Sequence, residues 1–171
     1  MTATKAIKLG ITDILATAFI FLVPALSHMT SVPFYLADPM RLAVLGALAA
    51  SRDWKNSLAL AIALPLISFG ISGHPVFPKC LLIAVELASN VLLFAAFHKS
   101  FAKFFRRGRA FGTGCAAFLS ILLSKGIYYL LKFALISGGL MDMELVSTAL
   151  LVQLAVAIVL SVLLALSFRR S

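Results

Sequence analysis

The sequence predicts an all-α integral membrane protein, a single domain over residues 1–171 folded as a compact bundle of six transmembrane helices with both termini cytoplasmic. Three observations carry this reading. Hydrophobic residues make up 62% of the chain, against about 45–50% in soluble domains, which excludes a water-soluble core. Apolar runs close to the ~20 residues that cross a bilayer recur along the chain with short connectors between them. Eleven of the 15 Lys and Arg residues fall in alternate connectors or at the ends: Lys5 and Lys8, Arg52 and Lys55, then Lys99, Lys103, Arg106, Arg107 and Arg109, and finally Arg169 and Arg170. The positive-inside rule assigns that side to the cytoplasm. The net charge of +9 is thereby explained without a nucleic-acid partner.

The first span covers residues 7–26. It follows Lys5 and Lys8, is as long as a full crossing, carries Asp13 and lacks a small-x-small cleavage site, so it is expected to remain as a helix. Pro24 can stop or kink it near its end. Residues 27–39, with two prolines and the aromatic pair Phe34 and Tyr35, read as an outer loop lying over the protein or as a plain connector with interfacial aromatics.

The second span, 40–51, is short and rich in Ala43, Gly46, Ala47, Ala49 and Ala50, which lets helices approach closely. A tight turn with Trp54 leads to the third span, 57–71, where Asn56 or Ser57 is expected to cap the start and Pro65 to kink or open the backbone. The turn-rich connector 68–75 delivers the chain to the fourth span, 76–97. Residues 98–109 interleave basic side chains with Phe101, Phe104 and Phe105, the pattern of a basic segment on anionic lipid or of a partner-docking surface. The fifth span covers 111–137, a flexible acidic connector 138–144, and the sixth span 145–168, which carries Gln153.

Two spans carry polar stripes that lipid would not tolerate. Lys79, Glu86 and Asn90 share a face of the fourth at about 100° per residue. Lys125, Tyr128, Tyr129 and Lys132 follow the i, i+3, i+4, i+7 spacing on the fifth. An ionisable group inside a span is a functional-site hypothesis by default. Lys125 needs a partner, and Glu86 is the acidic residue read at comparable depth, so a Glu86–Lys125 contact is predicted, direct or through ligand; Lys132 alone can snorkel. With Tyr35 and His74 from the outer connectors, these seven side chains form the candidate substrate-binding set. Convergent polar groups in an apolar pocket are what a small-molecule site needs, and the excess of positive charge favours a ligand carboxylate. The alternative is that they satisfy one another in helix packing.

Catalysis is not predicted. Gly70-Ile71-Ser72-Gly73 matches the GxSG around the nucleophile of rhomboid proteases, but no histidine follows His98 to serve the serine. His28, His74 and His98 lack ligand spacing, so no metal is expected, and Cys80 and Cys115 lack any paired spacing. No phosphate-cradling glycine loop is present, hence no cofactor, and any ATP must be bound by another subunit.

The small size, the six spans, the long outer connector, the inner turn at 52–56 and the run Pro65-x-x-Ser68-x-Gly70-x-x-Gly73-His74-Pro75 leading to Lys79 and Glu86 resemble the substrate-binding S components of energy-coupling factor (ECF) vitamin transporters. The resemblance implies a multi-pass protein of a bacterial or archaeal cell membrane that binds a water-soluble vitamin or related micronutrient from outside. It implies as partner a transmembrane coupling subunit with two ATPases. The family presents a small-residue surface of the first helix to that subunit. Here Ala6-x-x-x-Gly10 and Thr12-x-x-x-Ala16 have the small-xxx-small spacing, without the double alanine and with Asp13 between them. A structural membrane scaffold of the MreD type, with protein partners and no small ligand, is the other reading. In a binder, Glu86→Gln is expected to abolish ligand retention while leaving the bundle folded; in a scaffold it would affect only stability or assembly.

Overall fold

The computed structural model describes residues 3–30, 36, 38–73, 75–105, 108–141 and 150–169. They form six helices in chain order: α1 (Ala3–Thr30), α2 (Pro39–Ser51), α3 (Trp54–Ser72), α4 (Lys79–Phe104), α5 (Arg109–Ser137) and α6 (Leu150–Arg169). No strand occurs among the described residues. Five helices, all but α2, are long and apolar enough to cross a membrane. With its 13 residues, α2 rises only about 20 Å at 1.5 Å per residue, so of the six expected spans five are long helices and the second is short, as its sequence indicates.

The shortness of α2 shapes the molecule. It packs against α1, α3, α4 and α6, and Arg41, Ala43, Val44, Leu45, Ala47 and Leu48 are all buried. A helix apolar nearly all round belongs inside rather than at a surface. One face joins Ala16, Ile20, Leu60, Ala61, Leu64, Leu87 and Val91 from α1, α3 and α4. The other joins Phe94, Ala116, Ala117, Ile121, Ala157, Leu160 and Leu164 from α4, α5 and α6. Ala61 and Ser57 are fully buried, small side chains that allow close backbone approach. Outward, Ile7, Ile14 and Leu15 on α1 and Leu151, Val159 and Leu163 on α6 are exposed, as lipid contact would require.

Contacts between helix ends gather most of the basic residues at one end of the bundle. Lys5 at the start of α1 pairs with Asp53 of the α2–α3 turn at 2.8 Å. From the same turn, Arg52 Nη2 donates to the Ser167 carbonyl of α6 at 2.8 Å and its guanidinium lies 4.1 Å over the Phe168 ring. The Phe168 ring in turn meets His98 of α4 at 5.2 Å, and His98 stacks on Phe94. Inward from this end, Asn56 donates to Asp13 at 2.6 Å, tying α3 to α1.

Several boundaries differ from the sequence reading. The first helix runs on through Pro24 and takes in residues 27–30, while most of the expected outer loop, including Tyr35, lies outside the described residues. Helix α3 starts at Trp54 because Asp53, rather than Asn56 or Ser57, is its N-cap and accepts from the backbone N–H of Lys55 and Asn56; the helix is continuous through Pro65. The start of α4 falls at Lys79 rather than 76, after the cis Phe77–Pro78 peptide. Its far end reaches Phe104, so most of the expected basic loop is helix; Arg106 and Arg107 lie outside the described residues. So do residues 142–149, and α6 is described from Leu150.

Asp53 combines a helix cap with the Lys5 ion pair. The Lys5 hydrogen bond, aided by the backbone N–H groups of Asn56 and Lys55, holds its carboxyl below the ordinary value of 3.8. A depressed folded-state value means the stabilisation is fully present above 3.8 and is lost as pH falls through the lower folded value. Asp53→Ala should cost about 1 kcal/mol as a lost N-cap. In detergent-solubilised protein, the difference in thermal unfolding between wild type and variant should be the same at pH 7 and pH 5, shrinking only below pH 3.8.

Candidate functional site

At the end opposite the basic contacts, the bundle holds a cavity of about 280 Å³. It exists because α2 stops short: its first turn, Pro39, Met40 and Arg41, forms the floor. The walls come from longer neighbours. Helix α4 supplies Lys79, Ile83 and Glu86, α5 supplies Lys125, Tyr128 and Tyr129, and α6 supplies Gln153, Val156 and Ala157, with Leu36, Asp38 and Pro75 at the connectors.

Glu86 is central. Its side chain is 5% exposed, and the same oxygen, Oε1, accepts from Arg41 Nη2 and lies 2.9 Å from Lys125 Nζ. The sequence-derived Glu86–Lys125 contact is thus present and direct. It was incomplete in two respects. Arg41, 2% exposed, is a second cation on the same carboxylate. Asp38 Oδ2 is a second anion, 3.3 Å from Arg41 Nε and 3.5 Å from Lys125 Nζ, so Glu86 is not alone among acids at this depth. The lining carries three cations, Arg41, Lys79 and Lys125, against two anions, Asp38 and Glu86.

Asp38 reaches this position at a backbone cost. It occupies the N-cap of α2 with φ 52 and ψ 63, the left-handed region, and makes no side-chain capping hydrogen bond. A non-glycine residue there is strained by about 1 kcal/mol, though Asp tolerates it better than most.

The other predicted residues divide. Tyr128 is buried beside two ammonium groups, Lys125 at 5.5 Å and Lys132 at 5.9 Å from its ring centre. Tyr129 OH accepts from Gln153 Nε2 at 2.7 Å, tying α5 to α6 at the cavity wall. Lys79, first residue of α4, is half-buried at the lining. Asn90 does not reach the cavity: one turn deeper and fully buried, it donates from Nδ2 to Ser120 Oγ at 3.1 Å and braces α4 on α5. Lys132 is also off the lining and only 1% exposed, so it does not snorkel to a surface. Tyr35 and His74 lie outside the described residues. On α1, Ala6 and Gly10 are exposed and Thr12 turns its hydroxyl onto the Lys8 carbonyl. Ala16 is packed in the core against α2 and α3, which removes it from any docking face because a buried methyl cannot meet a partner.

Arg41, Asp38 and Gln153 are the polar lining residues that the sequence reading did not place in the site. A signal for Arg41 was available: a charge in the first turn of an apolar segment obeys the same rule that singled out Glu86. Asp38 gave none, since an acid before Pro39 reads as a helix start.

Chemically, the cavity offers charged donors from Arg41, Lys79 and Lys125, two phenols and an amide from Tyr128, Tyr129 and Gln153, and apolar surface from Ile83 and Val156. That suits recognition of a small polar molecule bearing an acidic group. No group of three or more His, Cys, Asp or Glu side chains that could hold a metal occurs among the described residues. No protein-family model, curated protein or solved structure matches this chain.

Because Glu86 neutralises two buried or half-buried cations, Glu86→Gln is expected to lower the stability of a bundle that, by the sequence reading, still folds. It strands Arg41 without a full counter-charge, a change worth about 3–5 kcal/mol. The variant should melt at a clearly lower temperature in detergent. Glu86→Gln combined with Arg41→Met should recover part of that loss, because the uncompensated charge is gone. A double variant whose loss equals the sum of the two single losses would show that the two residues are not coupled.

Proposed function

We propose that this chain is the high-affinity membrane binding subunit for a small water-soluble, vitamin-like micronutrient, which a separate ATP-driven coupling module helps deliver inward. The observation that carries the reading is the convergence of charged side chains from α4, α5 and the first turn of α2 on one open cavity. Ionisable groups inside an apolar bundle are expensive, and are found where they face a partner, a ligand or a watery space. The gathering of basic residues at the opposite end supports placing that end in the cytoplasm, with the cavity opening outward. Its volume of about 280 Å³ lies at the lower edge of ligand sites, which favours a compact ligand. Tyr128, Tyr129 and Gln153 supply flat and amide surfaces for the ligand's uncharged part.

The resemblance to ECF S components agrees with this reading. Under it, the exposed part of α1, with Ala6 and Gly10, is the docking face for a transmembrane coupling subunit bearing two ATPases. The scaffold alternative finds its support in the pairing of Glu86 with both Arg41 and Lys125, which holds three helices together without a ligand.

The two readings separate on small-molecule content. Protein purified in detergent from cells grown in rich medium should release the same polar molecule on denaturation in every preparation, identified by mass spectrometry. Lys125→Met removes one cation from the lining and leaves Asp38 and Glu86 to share Arg41. It should reduce retention about tenfold or more, the loss of one charge-assisted hydrogen bond, with a modestly lower melting temperature. Repeatedly empty protein, or retention unaltered by Lys125→Met, would favour the scaffold.

A further inference from the structure

Asp38 and Glu86 face the same two cations and engage them differently. Glu86 accepts directly from Arg41 Nη2 and sits 2.9 Å from Lys125, the length of a charge-assisted hydrogen bond. Asp38 Oδ2 stops at 3.3 Å from Arg41 Nε and 3.5 Å from Lys125 Nζ. Arg41 Nε is buried and makes no hydrogen bond, despite the nearby carboxylate. A buried donor therefore has a carboxylate within 3.3 Å that is not aligned to accept from it, and such donors are normally satisfied.

The backbone of Asp38 points the same way. At an N-cap, an aspartate ordinarily accepts from the second or third N–H of its helix, here Met40 or Arg41. Asp38 makes no well-formed capping hydrogen bond, although the Arg41 backbone N–H faces its carboxylate, and it adopts φ 52 instead. Its side chain is 28% exposed, at the mouth of the cavity, whereas that of Glu86 is 5% exposed. Glu86 is the permanent counter-ion. Asp38 is a part-buried, strained and less tightly paired one.

We propose that Asp38 stands in for a carboxylate of the ligand, occupying a seat between Arg41 Nε and Lys125 Nζ that the ligand takes over on binding. This inference rests on the binding-subunit reading and gives its ligand class: a small water-soluble carboxylic acid. Glu86 already neutralises Arg41 through Nη2, but the buried Nε–H still calls for an acceptor. Asp38 meets that need imperfectly. A ligand carboxylate positioned by the tyrosines and Gln153 completes both bonds at normal length. Asp38, released, is free to cap Met40 or Arg41 and to leave the left-handed region. A neutral ligand would leave Arg41 Nε unsatisfied, and a cationic one would have to compete with Arg41 and Lys125 for acids already engaged. Displacement of Asp38 also sets affinity, since the ligand must outcompete a tethered carboxylate, and it eases release.

The test compares wild type with Asp38→Asn. Asparagine keeps the size and the tolerance of left-handed backbone and removes only the charge, and an unchanged melting temperature confirms the fold. Each protein is equilibrated by dialysis against the small-molecule fraction of a cell extract, denatured, and its retained molecules are identified and quantified by mass spectrometry. The expected result is a water-soluble acid in both, held about tenfold more tightly by Asp38→Asn, with the methyl ester of that acid not retained. A neutral or cationic molecule held equally by both proteins overturns the carboxylate seat and leaves the binding reading standing. An acid held more weakly by Asp38→Asn shows that Asp38 contributes to the site rather than standing in for ligand, and overturns the inference. Empty protein in every preparation, or phosphatidylserine as the sole carboxylate retained, overturns the binding reading and the inference with it.

Discussion

The carboxylate of Glu86 is the group on which the cavity end of this bundle depends. It meets Arg41 from α2 and Lys125 from α5 while projecting from α4, so one side chain joins three helices where hydrophobic packing gives way to open space. Charges taken out of water are tolerated only when paired and well placed. This pairing lets an apolar bundle carry a charged floor without the floor collapsing or filling with water-seeking rearrangements. Below it, Asn90 and Ser120 repeat the link between α4 and α5 with neutral groups, and from there downward the contacts are chiefly apolar.

A length constraint works together with that pairing. Helix α2 has 13 residues, and its neighbours are long enough to cross a membrane. Enclosed by longer helices and buried on both faces, it leaves a space above its first turn that no side chain of its own can fill. Arg41 stands in that first turn, so the shortness of α2 opens the cavity and places a cation at its floor in one step. At its other end α2 is held by the Arg52 contacts to Ser167 and Phe168, which draw α6 against it. The two ends differ accordingly: aromatic stacking and basic residues at one, an open charged cavity at the other.

The acids of the cavity also differ in kind. Glu86 is buried and fully engaged, and it is a structural element as much as a recognition one. Asp38 is part-buried and lies 3.3 Å from Arg41 Nε and 3.5 Å from Lys125 Nζ, longer than the contact of Glu86 with Lys125.

The sequence by itself determined that the chain is helical, that its helices are apolar enough to cross a membrane, and that α4 and α5 carry facing polar stripes, because helical periodicity and the cost of a buried charge are local properties. It also determined the Glu86–Lys125 contact, since few acids were deep enough to partner that lysine. Tertiary structure decided what the periodicity could not. Ala16 belongs to a small-xxx-small pair like that of Ala6, yet it faces α2 and α3 and is packed in the core. Asn90 and Lys132 follow the spacing of the site residues but fall below or behind the cavity, because the face a residue shares on its helix does not fix what packs over it. Asp38 and Arg41 entered the site only through the place where α2 begins within the ring of longer helices. That placement depends on the packing of α2 against four other helices, and no single segment of the chain encodes it.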